Sequence, residues 1–325
     1  MELEQQAASE ELVQLREAMQ RVKAEVARVI VGQEEMIDLL LAAILADGHV
    51  LIEGVPGVAK TLTAKLIARC LDVPFSRIQF TPDLMPSDVL GTSVFNPQNA
   101  NFTFKKGPIF SNLVLIDEIN RSPAKTQAAL FEVMEEKQVT YDGTTYPMPP
   151  PFMVLATQNP IEQEGTYRLP EAQLDRFIFK IEVKYPNLEE EILILEHTHS
   201  GKTTHYNEEV ERVLSADDII RYRQLINSLR IEPKVMRYIA ELVYETRNNR
   251  SLFLGASPRA SVAILRASKA IAAMSGRDFV TPDDVIKVVP SVLRHRVLLT
   301  PEKEMEGSTP DEVIDSIVKK VEVPR

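Results

Sequence analysis

The segment from Leu51 to Ala68, LIEGVPGVAKTLTAKLIA, constrains the possible folds more than any other part of the chain. Apolar residues lead into a loop of glycine, proline and alanine, and a Lys-Thr pair then opens a stretch of helical sequence. The loop follows the spacing G-x-x-x-x-G-K-[ST], with Ala59 at the second glycine. In a strand–loop–helix unit, this spacing surrounds a phosphate with backbone N–H groups and one lysine. A Gly-Pro-Gly turn also precedes helices for purely structural reasons, so the interpretation depends on the sequence downstream.

Short apolar runs alternate with helical stretches over residues 49–185. The predicted strands are His49–Gly54, Ser76–Phe80, Asn112–Glu118, Phe152–Pro160 and Phe177–Tyr185. The intervening helices are predicted at Thr61–Cys70, Pro123–Glu136 and Ala172–Arg176. Continuous apolar runs separated by helices indicate a parallel sheet with helices on both faces. Because ligands of such sheets bind at the carboxyl ends of the strands, we expect the functional residues to lie there.

The remaining segments divide the chain into further units. An apolar seam at spacings of three and four predicts an N-terminal helix over residues 1–30, docked on its own domain rather than in a free coiled coil. The α/β core is predicted over residues 31–186, with β-hairpin inserts near 92–107 and 138–146. Beyond it, residues 187–325 show helical patterns only, which predicts a small all-α domain. The seam consists of Leu12, Leu15, Met19, Val22, Val26 and Val29.

Composition narrows the possible environments and partners. The 325 residues carry a net charge of −10, which weighs against a dedicated nucleic-acid binder. The single cysteine, Cys70, excludes an intrachain disulfide and fits a reducing compartment. The N-terminus lacks the layout of a secretory signal, and the longest apolar run, Leu39 to Ala46, is too short to span a bilayer. We therefore expect a cytoplasmic protein without a membrane span.

The loop has the groups that binding a triphosphate requires. Gly54 and Gly57 leave backbone N–H groups unshielded, and the helix that follows presents its positive end to the same anion. Lys60 is predicted to reach the β and γ phosphates, and the hydroxyl of Thr61 to bind Mg²⁺. Ala59 adds one methyl group, which we expect to be tolerated if this residue keeps a negative φ. The candidate nucleotide-binding residues of the loop are Gly54, Val55, Pro56, Gly57, Val58, Ala59, Lys60 and Thr61.

Two acidic residues follow a buried strand in the stretch LVLIDE. Carboxylates at the end of a buried strand are costly without a compensating cation. Asp117 is suited to bind Mg²⁺, and Glu118 to act as the base that activates water. Asn159 ends the next apolar run, where its amide could orient the attacking water, although an asparagine before proline is also typical of turns. A solvated strand end is the alternative for the acidic pair, and the loop upstream weighs against it.

Seven motifs, taken in order and spacing, resemble the AAA+ ATPases and, within them, the MoxR family. The motifs are VIVGQ (29–33), GVPGVAKT (54–61), TPDLMPSDVLG (81–91), LIDEINR (115–121), ATQNP (156–160), LPEAQLDRF (169–177) and GASPRA (255–260). The resemblance covers nearly the whole chain and includes the Walker A and Walker B motifs. Alanine before the loop lysine is usual in this family. The fold that the resemblance implies is a P-loop AAA+ domain followed by a helical lid.

The resemblance also implies roles for residues outside the phosphate loop. Val31 and Gly32 match the segment that lines the adenine pocket. Arg176 matches the arginine finger, which reaches the nucleotide of the neighbouring subunit, and Arg259 matches the second sensor of the lid. Arg121 and Arg168 are rival finger candidates that rank below Arg176.

The function that the resemblance implies is Mg²⁺-dependent ATP hydrolysis by a homo-oligomeric ring of six subunits. Such proteins are chaperone-like factors that remodel or mature protein complexes, often with a partner that carries a von Willebrand factor A domain. The hairpin inserts are candidates for client contact, through Phe95, Phe102 and Phe104. The alternatives are the ATPase subunit of a magnesium-chelatase-like complex, a nucleic-acid motor or transcription activator, and a nucleotide-gated scaffold.

Two of these alternatives conflict with the sequence. The chain has no GAFTGA loop, and its acidic charge balance does not suit a nucleic-acid motor. The presence of both Glu118 and Arg176 argues against a scaffold that hardly turns ATP over. Three histidines, His197, His199 and His205, suggest a metal site, but we interpret their segment as a solvated linker because metal ligands need an orienting set of neighbours.

Overall fold

The computed structural model describes residues 2–97, 100–159, 169–199 and 210–324. Within these ranges, a five-stranded parallel sheet forms the centre of the molecule. Its strands are β1 (His49–Gly54), β2 (Phe75–Gln79), β5 (Leu113–Asp117), β8 (Met153–Gln158) and β9 (Phe177–Val183). Their spatial order is β2–β5–β8–β1–β9. The predicted parallel sheet is therefore confirmed, and each strand lies where a continuous apolar run predicted it.

Helices cover both faces of the sheet, as predicted. The helices of the core are α1 (Glu2–Ala27), α2 (Glu34–Leu45), α3 (Lys60–Cys70), α4 (Pro86–Leu90), α5 (Ala124–Glu136) and α6 (Glu171–Leu174). Side chains alternate along β1, so Val50 and Ile52 pack into the apolar cluster that contains α1 to α3. Leu51 packs into the second cluster, with α5. Burial of both faces explains why the strands are apolar throughout.

Helix α1 is docked along its apolar seam. Leu15, Val22 and Val26 are fully buried in the cluster shared with α2 and α3. Val29 lies beyond the end of the helix and is partly buried. The seam therefore packs within the same chain.

Two antiparallel hairpins project from the core. One pairs β3 (Gly91–Asn96) with β4 (Asn101–Lys106), and the other pairs β6 (Gln138–Tyr141) with β7 (Thr144–Pro147). The turn of the second hairpin contains Asp142 and Gly143 at φ 48° and 74°, as an Asp-Gly hairpin turn requires.

The C-terminal part is helical, as predicted. Its helices are α7 (Leu188–His199), α8 (Ala216–Asn227), α9 (Pro233–Asn248), α10 (Pro258–Met274), α11 (Pro282–Leu293), α12 (Pro301–Met305) and α13 (Pro310–Lys320). Ser215, Thr281 and Thr309 cap helices through capping boxes, which confirms the three predicted helix starts.

The sequence did not indicate a short β-ribbon in this helical domain. β10 (Leu252–Leu254) pairs with β11 (Leu298–Leu299) in antiparallel orientation. Both strands are short apolar runs, and two helices separate them in the sequence. Local patterning cannot reveal a pairing of this kind.

Candidate active site

The glycine-rich loop joins the carboxyl end of β1 to the N-terminus of α3. A Cβ atom on Gly54 would lie 2.8 Å from the carbonyl oxygen of Val183, so close packing against β9 requires a glycine there. Gly57 has a φ of 88°, and the space around it is open. These positions leave the backbone of the loop uncovered, as a phosphate cradle needs.

Ala59 differs from our expectation of a negative φ. Its φ is 57°, in the left-handed region, which costs an L-residue roughly 1–2 kcal/mol. Its carbonyl oxygen accepts hydrogen bonds from both the backbone nitrogen and the Oγ1 of Thr63, at 2.9 and 3.0 Å. Because Ala59 supplies the first acceptor of α3, its conformation follows from how the loop closes onto the helix.

Lys60 lies in the first turn of α3 and points back over the loop. Its ammonium donates to the carbonyl oxygens of Gly54 and of Val55, the latter at 3.3 Å. Partial burial lowers the pKa of Lys60, and the carboxylates of Asp117, Glu118 and Glu53 partly offset this. The lysine charge is therefore directed at the strand ends that carry the acidic pair.

Asp117 ends β5 and is largely buried. One of its carboxylate oxygens accepts from Thr157 Oγ1 at 3.1 Å, and the other accepts from Arg77 Nε at 2.5 Å. Thr157 lies on β8 and Arg77 on β2, the two strands that flank β5. The neighbouring strands thus fix the orientation of the predicted metal ligand and compensate its charge.

Glu118 follows directly and has a φ of 57°. Its backbone N–H donates to Thr157 Oγ1 at 3.1 Å, which ties it to the same strand as Asp117. Its carboxylate accepts from Gln79 Nε2 at 2.8 Å and from Arg121 at 3.0 Å. Backbone strain of this kind persists only where the surrounding structure holds the residue. The predicted base is therefore held firmly at the carboxyl edge of the sheet.

The other predicted residues near the loop have different surroundings. Thr61 follows Lys60 in α3, and Asn159 follows the last residue of β8 and is nearly buried. Val31 and Gly32 lie between α1 and α2 and, with Leu193 of α7, line a cavity of about 530 Å³. None of the residues of the phosphate loop lines this cavity, so a role for Val31 and Gly32 in binding adenine stays a prediction.

Arg176 and Arg259 lie together, at a different edge of the sheet. Both form an ion pair with Glu135 of α5, and the distance from Arg259 to this carboxylate is 3.5 Å. Arg176 also donates to the carbonyl oxygen of Phe131 at 3.3 Å. One carboxylate thus compensates two guanidinium groups, so the cluster keeps a positive charge.

The two groups of residues face opposite edges of the sheet: Lys60, Asp117 and Glu118 lie at the carboxyl edge, and Arg176 and Arg259 lie at the amino edge. Arg176 immediately precedes β9, which runs parallel to β1, whereas Lys60 lies beyond the end of β1. β1 contains six residues, a length of about 20 Å at the usual rise per residue. The structure therefore brings Lys60, Asp117 and Glu118 together but separates them from Arg176 and Arg259 of the same chain.

Several residues of the site were not predicted from the sequence. Gln79 and Thr157 bind the acidic pair, Arg77 pairs with Asp117, and Glu135 pairs with both arginines. A polar residue within the apolar run FMVLAT was a usable signal for Thr157. The pairing of Gln79 with Asp117 depends on strand order, which local sequence does not reveal.

The structure describes some of the rival arginine-finger candidates and some of the three histidines. Arg121 donates to Glu118 of its own chain, so it belongs to the carboxyl edge, and Arg168 lies outside the described residues. His197 and His199 lie in the last turn of α7, so the prediction of a linker there is wrong, and His205 is outside the described residues. The run LEEEILILEHTH has helical character that the histidines obscured.

The described residues bear on metal binding and on membrane insertion. Among those residues, no group of three or more His, Cys, Asp or Glu side chains is arranged to hold a metal ion. Mg²⁺ does not require such a group, because it is usually bound by one or two carboxylates together with substrate phosphates. Across the described ranges, none of the helices combines the length and apolar content that a bilayer span requires.

Comparisons with known proteins agree with the geometry. The model of the ATPase family associated with various cellular activities (AAA) matches residues 49–179, and that of the AAA lid domain matches residues 244–317. Chaperone MoxR1 of Mycobacterium tuberculosis is 44% identical over 316 residues, which cover 94% of this chain and 82% of that protein. The uncharacterised protein YeaC of Bacillus subtilis is 46% identical over 297 residues, which cover 91% and 92%.

A solved structure extends the similarity to three dimensions. The crystal structure of a proposed ATPase from Cytophaga hutchinsonii matches with a TM-score of 0.92 at 44% sequence identity. The match covers 99% of this chain and 100% of that one. The central sheet, the phosphate loop and the helical lid all lie within the matched length. The chain belongs to the MoxR family of AAA+ ATPases.

Proposed function

We propose that this protein hydrolyses ATP with Mg²⁺ in a cytoplasmic ring of six subunits, in which each site is completed by a neighbour. The observation that supports this most directly is the separation of the phosphate loop and acidic pair from Arg176 and Arg259. AAA+ proteins usually form oligomeric rings. In a head-to-tail ring, one edge of each subunit faces the opposite edge of the next.

The residues at the carboxyl edge fit a nucleotide and its metal ion. The open space around Gly57 and the N-terminus of α3 suit a polyphosphate, with Lys60 as the cation. Thr61 and Asp117 have the oxygen ligands that Mg²⁺ prefers. When bound, MgATP supplies the phosphoanhydride bond that is cleaved.

The protein residues then have separate tasks. Glu118 accepts a proton from the attacking water at a carboxylate oxygen, while Gln79 and Arg121 hold that carboxylate in place. Asn159 orients the water. Arg176 and Arg259 of the adjacent subunit stabilise the negative charge that develops on the transferred phosphoryl group. Their shared counterion, Glu135, binds them only weakly in water, so they remain able to do this.

We propose that the β3–β4 hairpin, rather than the β6–β7 hairpin, contacts the client protein. Phe95 and Phe102 face each other across the hairpin, with ring centroids 5.3 Å apart, and are 50% and 70% exposed. In the other hairpin, Tyr141 and Tyr146 stack on Phe104 and are thereby already partnered. Exposed aromatic side chains are typical anchors in protein recognition.

Similarity to Chaperone MoxR1 supports a chaperone-like role in remodelling or maturing protein complexes. A client or cofactor with a von Willebrand factor A domain is the partner that we propose. This similarity favours the chaperone-like role over a magnesium-chelatase subunit.

Phosphate release and nucleotide binding test the proposed chemistry. Lys60→Ala should lose ATP binding, whereas Glu118→Gln should keep binding and lose turnover by about 10²–10⁴-fold. Glu136→Gln, an exposed glutamate of α5, is the matched control and should retain turnover. Normal turnover in Glu118→Gln would contradict the assignment of the base.

Client capture tests the hairpin. The Glu118→Gln protein, incubated with ATP, should copurify with a protein that carries a von Willebrand factor A domain. Adding Phe95→Ala and Phe102→Ala should abolish the capture, while Thr103→Ala, on the other face of the hairpin, should not. Capture that survives loss of both aromatic side chains would contradict this contact.

A further inference from the structure

The lid arginine Arg296 is buried against the segment that carries Arg176. Its side chain is only 3% exposed, and its Nε donates to the carboxylate of Asp175 at 2.7 Å. One terminal nitrogen donates to the carbonyl oxygens of Asp175 and Phe177 at 3.0 and 2.7 Å, and the other donates to that of Ile178 at 3.3 Å. A single guanidinium therefore binds the backbone on both sides of Arg176.

Asp175 connects this contact to the second arginine. Its other carboxylate oxygen accepts from Ser257 Oγ at 3.0 Å. Ser257 caps α10, and its Oγ accepts from the backbone N–H of Arg259 at 3.2 Å. The residue before Arg176 and the cap of the helix that carries Arg259 are thus joined through the carboxylate of Asp175, which Arg296 binds.

The short helix before Arg176 is held to the core only through partly buried residues such as Leu174. α6 contains only four residues, Glu171–Leu174, and each of them is at least partly exposed. The side chain of Arg176 is 29% exposed and is held at its tip by Glu135 and by the carbonyl oxygen of Phe131. The contacts of Arg296 therefore add to the strand pairing of β9 in fixing the backbone from which Arg176 leaves.

We propose that Arg296 is a positioning residue for the arginine finger. It fixes residues 175–178 to the lid, so that Arg176 and Arg259 reach the nucleotide of the neighbouring subunit together and shift with the lid. The inference rests on the proposed function, because it assigns Arg296 to the site that Arg176 completes. Its effect is exerted across the subunit boundary and not on the phosphate loop of its own chain.

A purely structural role is the competing explanation, and the lid offers a matched control. Arg277 donates two hydrogen bonds to the carboxylate of Asp284, at 2.6 and 2.7 Å, and this carboxylate is also buried. Both residues lie in the lid. Arg277→Lys therefore weakens another ion pair of the lid, whose arginine side chain is 30% exposed, without touching residues 175–178.

The first experiment compares Arg296→Lys with Arg277→Lys. Lysine keeps a positive charge near Asp175 but cannot bind the carboxylate and three carbonyl groups at once. We expect Arg296→Lys to lower kcat by about 10²-fold, as for a misplaced catalytic group, with little change in KM or in ATP binding. Arg277→Lys should leave kcat unchanged. Equal loss in both variants, or normal kcat in Arg296→Lys, would overturn the proposal.

The second experiment uses mixed rings. Arg296→Lys chains retain an intact phosphate loop, and Glu118→Gln chains retain an intact finger. The two chains are co-expressed with different tags, and mixed rings are purified by both tags. Turnover should return at each subunit interface where the phosphate loop of an Arg296→Lys chain meets the finger of a Glu118→Gln chain. This is about one interface in four if the chains assemble at random. Asp175→Asn, which removes the charge bound by Arg296, should be rescued in the same way and serves if Arg296→Lys does not fold.

Arg176→Ala in the same mixture separates the possible failures. If Arg176→Ala is rescued by Glu118→Gln but neither Arg296→Lys nor Asp175→Asn is, Arg296 does not act through the finger and the inference is wrong. If Arg176→Ala retains full turnover or is not rescued, the proposed function fails, and this inference fails with it.

Discussion

At the carboxyl edge of the sheet, Lys60 and two arginines lie among several carboxylates, whereas at the amino edge two arginines share the carboxylate of Glu135. Lys60 is directed towards Asp117 and Glu118, which are fixed by side chains from both flanking strands. Arg176 and Arg259 meet at Glu135, about one strand length away. The first edge can hold a phosphate chain and a metal ion, and the second can supply guanidinium groups.

The difference explains why neither edge is a complete site. Phosphoryl transfer depends mainly on positioning and on cations around the transferred group, and the carboxyl edge supplies only part of them. The amino edge has the cations but no cradle of backbone N–H groups. Under the proposed function, each edge therefore needs its counterpart from another subunit, and Arg296, which binds Asp175, would hold the second edge in place.

The largest expected effect separates catalysis from nucleotide affinity. Arg176→Ala should lower turnover by about 10³–10⁵-fold, the range for a finger supplied in trans, while ATP binding to the same chain is retained. Phosphate release and equilibrium binding measure the two quantities. Arg250→Ala, an exposed lid arginine, is the control. Loss of ATP binding in Arg176→Ala would place this arginine at the carboxyl edge and break the comparison.

An intermediate effect concerns acid stability at the amino edge. His49 begins β1, and its ring nitrogens bond to the backbone N–H of Val154 and the carbonyl oxygen of Met134. Burial lowers the pKa of His49 from 6.5 to about 4. The unfolded chain therefore takes up a proton first as the pH falls. Stability is fully present above pH 6.5 and declines towards pH 4, by about 3 kcal/mol from this residue.

Urea unfolding between pH 7 and pH 4 measures this loss. His49→Gln is neutral throughout, so it should show a shallower decline than the unmodified protein. His295, whose pKa burial also lowers, contributes in the same direction and remains in the variant. Equal pH dependence of both proteins would contradict a neutral, buried His49.

The smallest effect concerns backbone strain at the carboxyl edge. Ala59→Gly should raise the free energy of unfolding by about 1 kcal/mol, because glycine adopts a φ of 57° without steric cost. Ala64→Gly, in the buried interior of α3, should lower it by a similar amount. Thermal unfolding of the three proteins measures the difference. Destabilisation by Ala59→Gly would show that the loop does not strain this alanine.

The fold and the carboxyl edge could largely be predicted, because their signals are local. Each central strand is a continuous apolar run, and the acidic pair follows one of them directly. The ion pair of Arg296 with Asp175 could not be predicted, since 121 positions separate the two residues and only the packing of the lid brings them together. The φ of Ala59 was missed because it depends on how the loop closes onto α3.

The location of Arg259 shows the same limit. Its motif identified a position in the lid but not which nucleotide this position faces. In the structure it lies beside Arg176 and not beside Lys60, because Ser257, which begins its helix, is bonded to Asp175. The orientation of one domain on another is a long-range property that no single segment specifies.

The proposed function requires the two edges to form one site across a subunit boundary. The most direct measurement is the turnover of rings mixed from Lys60→Ala and Arg176→Ala chains, each inactive alone. Activity should return on mixing, because some Arg176→Ala phosphate loops then face the intact arginines of Lys60→Ala neighbours. Mixed rings that assemble but remain as inactive as either parent would contradict the proposed function.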